Sequence, residues 1–283
     1  MRCDRSIVIG LCFALSHLAA AADAPGLTPR TVTARDDSTF RPTVIVSRGI
    51  NQGSGTVIAS IPGETLVLTA AHVMESPEAA FVEVHRYNLG LENKRGSEGW
   101  PKKIPAKVVA IDPASDVAIM RISGFQSMPY VARLSGLASE PEPATPVLSV
   151  GIDRGTKLTS WSTRVIELAL IDMKKGGGDR PFLLTDVPPE HGRSGGGLYN
   201  AQGQVVGVCV GRVEVIRGQR FGIFSSSESV RRILVENGLD LNVARSVLRR
   251  TQRKPVVERT RTTTTSPSPA RPEKPAESGN QAR

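Results

Sequence analysis

Between Thr43 and Phe224 the chain repeats one pattern. Short apolar runs rich in β-branched residues alternate with breaks of Gly, Pro, Asn or Asp. The first series is TVIVS (43–47), GTVIAS (55–60), TLVLTA (65–70), FVEVHRY (81–87), AKVVAID (106–112) and VAIMRI (117–122). The second is PVLSVGI (146–152), STRVIELALI (162–171), PFLLTD (181–186), QVVGVCV (204–210) and RFGIF (220–224). Runs this short, separated by turn residues, predict an all-β barrel or sandwich. No long helical pattern alternates with them, which argues against a doubly wound α/β fold. Aromatic residues make up only 4% of the chain, so the core is expected to be aliphatic.

The two series meet near residues 123–143, which predicts two β-rich halves, 42–125 and 126–250. The second half closes with a helix in SSSESVRRILVENG (225–238). Ser225 is its expected N-cap, with Glu228 three residues on; Val230, Ile233 and Leu234 share a face, and Gly238 ends it. A second amphipathic stretch covers Leu239–Arg250. Residues 251–283 are Pro-, Ser- and Thr-rich with almost no apolar side chains, and are expected to be a disordered basic tail. They are too few and too polar for a PDZ domain.

At the other end, Arg2 and Arg5 precede a short apolar run and Ala20-Ala21-Ala22, which predicts a signal peptide over 1–22 and a secreted or periplasmic protein. The run is too short for a spanning helix, so no membrane span is expected after cleavage. Residues 23–41 read as a loose polar arm. With Cys3 and Cys12 in the leader, Cys209 is left alone in an apolar run and cannot form an internal disulfide. It is expected to be buried and inert.

The formal charge of +9 would point to anionic partners if it were spread evenly. It is not: ten Lys and Arg stand against three Asp and Glu after residue 240. The body is close to neutral, and no nucleic-acid partner is expected. The tail reads as a solvated spacer. KKGGGDR (174–180) lacks the strand-to-helix setting of a phosphate loop and reads as a mobile loop beside the functional site. No Cys/His cluster has metal-ligand spacing, so neither metal nor cofactor is expected.

The segment EHGRSGGGL (190–198) places Ser194 among glycines. A serine hydroxyl is a weak nucleophile that needs a base within reach, and the base needs an orienting acid. His17 lies in the leader, His85 has an ordinary strand setting, and His191 is too near Ser194 in sequence. His72 ends an apolar run where the chain turns, and is the candidate base. Asp116 directly precedes another apolar run and is the candidate acid, whereas Asp112, before Pro113, reads as a turn residue. The N–H groups of Gly192 and Ser194 are candidates to receive a developing oxyanion. Gly195 and Gly196 are expected to keep space clear for substrate.

These segments resemble the trypsin-fold serine proteases of the HtrA-like type. GSGTVI (53–58), LTAAHV (68–73), AKVVAIDPASDVAIMRI (106–122), LLTDV (183–187) and GRSGGGLYNAQGQVVGV (192–208) look like that family's motifs in its order. The resemblance covers residues 42–237. It implies two six-stranded β-barrels with a site between them, His72 as general base, Asp116 as its orienter, and Ser194 as nucleophile. It implies a serine endopeptidase acting on proteins or peptides in envelope quality control or processing; self-association is left open. The specificity pocket is expected around Val187, Pro188, Val208, Cys209, Val210, Phe221 and Ile223, with a preference for small or medium apolar side chains. The chain departs from the family at Arg193, where Asp or Asn is usual. Pro188 and Pro189 stiffen the approach, which leaves two outcomes: a preformed oxyanion site, or a misaligned one in a catalytically weak protein that binds peptides.

Overall fold

The computed structural model describes residues 36–94, 96, 98–136, 140–174, 176–214 and 219–239. The leader, the start of the arm, the stretch from 240 to 250 and the tail lie outside the described residues.

Six strands close the first barrel: β1 (Thr43–Arg48), β2 (Asn51–Ile61), β3 (Glu64–Ala70), β4 (Ala80–Val84), β5 (Lys102–Asp112) and β6 (Val117–Ser123). Their hydrogen-bonded order is β1-β2-β3-β6-β5-β4, and β4 returns to β1. The second unit contains β7 (Arg133–Leu134), β8 (Pro146–Asp153), β9 (Lys157–Ile171), β10 (Arg180–Thr185), β11 (Gly197–Tyr199), β12 (Gln204–Glu214) and β13 (Arg220–Ser226). β11 pairs with both β8 and β12, so six of these strands form a ring. Short β7 adds in parallel to the outside of β12.

Val44, Val46, Val57, Val67, Val82, Met120 and Ile122 fill the first barrel. A second cluster joins the halves: Ile58, Leu68 and Ile119 of the first barrel pack with Val150, Tyr199, Val208, Ile233 and Leu234. Each such aliphatic side chain removed from water contributes about 1.5–3 kcal/mol. That shared core fixes one barrel against the other.

Several local expectations are corrected. β4 stops at Val84, and His85 instead precedes a 3-10 turn, Arg86–Leu89, with its N–H on the Asn88 side chain at 2.7 Å. Thr39, Phe40 and Arg41, read as the end of a loose arm, are buried. Their anchor is Asp36, whose carboxylate accepts from the N–H groups of Ser38 and Thr39 at 3.0 Å. The helix α1 (Ser227–Glu236) is capped by Ser226, not Ser225, and no capping box forms. Ser225 still belongs to β13 and donates to the Ser115 carbonyl. Glu140 takes over the capping role: its carboxylate accepts from Ser227 Oγ at 3.1 Å and from the Glu228 N–H at 3.3 Å. β7 and β11 were not anticipated, because two- and three-residue strands carry no periodicity to read.

Candidate active site

β3 ends at Ala70, and the chain turns at once into a 3-10 segment, Ala71–Met74, that carries His72 to the barrel edge. The tight turn Asp112–Asp116 lies opposite. There the Ala71 N–H donates to the Asp116 carbonyl at 3.1 Å. The Asp116 carboxylate takes two further bonds from residue 72: Oδ1 accepts the His72 N–H at 2.8 Å, and Oδ2 lies 2.6 Å from Nδ1. Asp116 holds a positive φ of 54°. A non-glycine residue in that region is strained, and such strain persists where surrounding bonds over-determine it. Asp116 is only 6% exposed, so its carboxylate is shielded from water.

Asp112 does other work. It accepts from the Ala114 N–H at 3.0 Å and from Ser115 Oγ at 2.6 Å, and it faces Arg180 and Arg232. Burial alone would raise its carboxyl, but these hydrogen bonds and guanidiniums outweigh burial and hold it below the usual value. His85 bonds Glu83 at 2.8 Å, and His191 Nε2 lies 3.2 Å from Arg212.

Ser194 lies in the loop between β10 and β11 and lines the cleft with His72, Asp116 and Gly192. That cleft has a volume of about 780 Å³. The Ser194 hydroxyl donates to the Val210 carbonyl at 3.1 Å. The N–H groups of Gly192 and Ser194 donate to nothing among the described residues. The direction of the Gly192 amide follows from its neighbour. The His191 carbonyl accepts the Arg154 N–H at 2.7 Å, in the turn between β8 and β9. A planar trans peptide then sends the Gly192 N–H away from that turn, and Gly192 itself lines the cleft.

The glycines have a different purpose from the one expected. A Cβ at Gly195 would meet Ser54 O, Thr69 Oγ1 and the Ala70 amide, and one at Gly196 would meet the carbonyls of Val150 and Arg193. They admit the protein's own backbone, not substrate. Gly192, at φ +88°, would bring a Cβ to 2.9 Å from the Arg154 and Gly155 amides. Gly53 allows β2 to approach the Ser194 loop: its Cβ would stand 2.7 Å from the Ser194 carbonyl.

Of the residues expected to shape specificity, Val210 and Ile223 line the cleft. Val208 and Cys209 are 0% exposed and point into the core. Burial pushes the Cys209 thiol up to about 12. Phe221 packs against the cluster that contains Val210, Val213 and Ile223 and does not itself line the cleft. The Val187 carbonyl lies 3.2 Å from the Thr185 hydroxyl, which donates to it, and Pro188 is half-buried. Asp186 accepts from Thr163 Oγ1 at 2.7 Å and from the Arg164 N–H at 2.9 Å, so its carboxylate is already engaged. Lys174, at the start of the loop expected beside the site, lines the cleft, and Met173, Glu75 and Arg212, not anticipated from the sequence, line it too. Lys174 Nζ stands 3.8 Å from Glu75 across the groove. Reading the sequence also missed Ser54, whose motif was visible but whose contacts are made 138 residues away in sequence.

The chain is 30% identical over 181 residues to a putative protease Do-like 14 of Arabidopsis thaliana, covering 63% of this chain and 39% of that one. It is 27% identical over 188 residues to the serine protease HTRA1 of Xenopus laevis, covering 65% and 36%. A probable periplasmic serine endoprotease DegP-like of Pseudomonas fluorescens is 30% identical over 156 residues, covering 55% and 28%. The chain thus spans well under half the length of these relatives. Among solved structures, the active form of the Rv3671c protease of M. tuberculosis superposes with a TM-score of 0.52 at 22% identity, covering 77% of this chain and 92% of that one. The inactive form gives 0.53 at 24%, covering 71% and 90%, so both support the fold. Residues 53–208 match the trypsin-like peptidase domain, and on that match the chain belongs to the trypsin-like peptidase family.

Proposed function

We propose that this chain is a serine endopeptidase that cleaves proteins or peptides through an acyl-enzyme. The observation that carries the reading is the doubly bonded Asp116–His72 pair, at 2.8 and 2.6 Å, in one cleft with Ser194 and an undonated Gly192 amide. In this reading Asp116 holds the imidazole with Nδ1 protonated, leaving Nε2 as the base. Ser194 Oγ attacks the peptide carbonyl as its proton passes to Nε2. The oxyanion takes the N–H groups of Gly192 and Ser194, and the amine leaves with the proton from His72. Water, deprotonated by the same nitrogen, then splits the ester.

The bond from Ser194 Oγ to the Val210 carbonyl favours a second reading, a weak enzyme that holds peptides without turnover. An incoming peptide that donates to this carbonyl would free the hydroxyl toward His72, which makes the resting bond compatible with catalysis. Hydrolysis of unfolded casein separates the two. The endopeptidase reading requires turnover by the parent chain and none by Ser194→Ala. Binding that survives in Ser194→Ala, with no turnover in the parent, would support the second.

For the specificity pocket we propose small or medium apolar side chains. Val210, Ile223 and Met173 line the cleft, and Asp186 is occupied by Thr163 and Arg164. Strong cleavage after Lys or Arg in a peptide library would refute this. The signal-like residues 1–22 support export, and with it a role in envelope protein quality control or processing. Among the described residues no helix is long and apolar enough to cross a membrane.

A further inference from the structure

Arg193 stands beside the candidate nucleophile, yet its side chain does not enter the cleft. It is 0% exposed and heads the largest fully buried side chains. A guanidinium out of water is costly unless every face is partnered. Here it is. Nε donates to Asp153 Oδ1 at 3.0 Å and Nη2 to Asp153 Oδ2 at 3.1 Å, a two-point fork. Nη1 donates to Ser149 Oγ at 3.2 Å, and Nη2 also reaches the Thr159 hydroxyl. The flat face lies 3.5 Å from the centroid of the Trp161 ring. Room for the stem comes from Gly151, where a Cβ would stand 2.8 Å from Arg193 Cγ.

Ser149, Gly151, Asp153, Thr159 and Trp161 all belong to the β8–β9 hairpin. The same hairpin holds the other side of Gly192, because the Arg154 N–H donates to the His191 carbonyl at 2.7 Å. The loop is therefore gripped at 191 by backbone and at 193 by side chain. Gly192 lies between the grips at φ +88°. Without the Arg193 grip, only the Arg154–His191 bond and the Ser54 hydroxyl on the Gly192 carbonyl would oppose a turn of this peptide that takes the Gly192 N–H out of the cleft.

We propose that Arg193 is a positioning residue for the oxyanion-binding amides: seated in the β8–β9 hairpin against Asp153 and Trp161, it keeps the Gly192 N–H facing the cleft in the resting chain. This rests on the endopeptidase reading and deepens it. The loop is set by a side chain already in place. Where the family usually carries Asp or Asn before its serine, this chain places the cation on the loop and its carboxylate partner, Asp153, on the hairpin.

The test compares the parent chain with Arg193→Met, Arg193→Lys and Asp153→Asn, using a fluorogenic peptide selected on the parent and a fluorophosphonate. Circular dichroism reports folding, and tryptophan emission reports the Arg193–Trp161 contact. The expected result is folded Arg193→Met and Asp153→Asn proteins with kcat lower by about 100-fold and KM within threefold, the pattern of a lost transition-state interaction. Fluorophosphonate labelling slows in parallel, Trp161 emission shifts, and Arg193→Lys recovers part of the rate. A folded Arg193→Met protein with kcat within threefold of the parent would overturn the proposal. So would a raised KM at unchanged kcat, which would make Arg193 a binding residue. Failure of both Arg193→Met and Asp153→Asn to fold would also overturn it, by placing the pair in global stability alone. A parent chain that is neither labelled nor active would instead sink the endopeptidase reading, and this inference with it.

Discussion

The Ser54 N–H donates to the Ser194 carbonyl at 2.7 Å, joining the first barrel to the Ser194 loop of the second. The Ser54 side chain completes the brace. Its hydroxyl donates to the Gly192 carbonyl at 3.0 Å and accepts the Ile152 N–H at 2.8 Å. Ser54→Ala keeps the backbone bond but leaves the Ile152 amide without an acceptor. A buried donor left unpaired costs about 1–3 kcal/mol. Chemical denaturation is expected to show that loss with an unchanged slope, together with a lower kcat on the fluorogenic peptide.

Gly53→Ala is a sharper probe of the same approach. The new methyl would sit 2.7 Å from the Ser194 carbonyl and 2.9 Å from Val73 Cγ2, so β2 must move off the loop. A loss of about 1.4 kcal/mol of transition-state stabilisation is tenfold in rate. We expect at least about that loss in labelling, with circular dichroism unchanged. Gly63→Ala is the control for the methyl alone: no atom lies within 4 Å of its Cβ, although its φ of +85° costs some stability. It should label at the parental rate.

The contact between the Asp112 turn, Arg180 and Arg232 ties the first barrel to β10 and α1, and it gives a pH dependence. The folded-state value of Asp112 is lowered from 3.8, since hydrogen bonds and guanidiniums outweigh burial. A lowered carboxyl contributes stability that is fully present above its unfolded value and is lost as pH falls through the folded one. Asp112→Asn is therefore expected to unfold at a lower temperature than the parent at pH 7. The gap should narrow below about pH 4, near the unfolded carboxyl value. Melting curves from pH 7 to pH 2.5 check this, and a gap that widens in acid would contradict it.

Cys209 is expected to ignore thiol reagents in the native state, since it is 0% exposed and its thiol is raised by burial to about 12. Peptide mapping after iodoacetamide should find it unmodified until denaturant is added. Rapid native alkylation would show that β12 opens beside the nucleophile loop.

What the sequence made legible follows the range of each interaction. Runs such as TLVLTA and VAIMRI announce strands, because alternation and branching act locally. The run FVEVHRY misled at its end, where the Asn88 side chain takes the His85 N–H and turns the chain away. His72, Asp116 and Ser194 were readable as residue types at run ends. Arg193 was readable as an oddity only. Its meaning lies in Asp153 and Trp161, placed by the pairing of β8 with β9, and no local pattern encodes that packing. The glycines show the same limit. Their presence was plain, but the backbone they admit comes from distant strands, for Gly195 from Ser54 and Ala70 of the other barrel and for Gly192 and Gly196 from the β8–β9 hairpin.

The most direct measurement is fluorophosphonate labelling of the folded chain followed by peptide mapping. The account predicts a single adduct on Ser194, absent in Ser194→Ala, with the rate falling by about 10⁴ in Asp116→Asn, where the imidazole loses its orienting charge. A folded parent chain that takes no adduct at Ser194, or an Asp116→Asn chain labelled as fast as the parent, would contradict it.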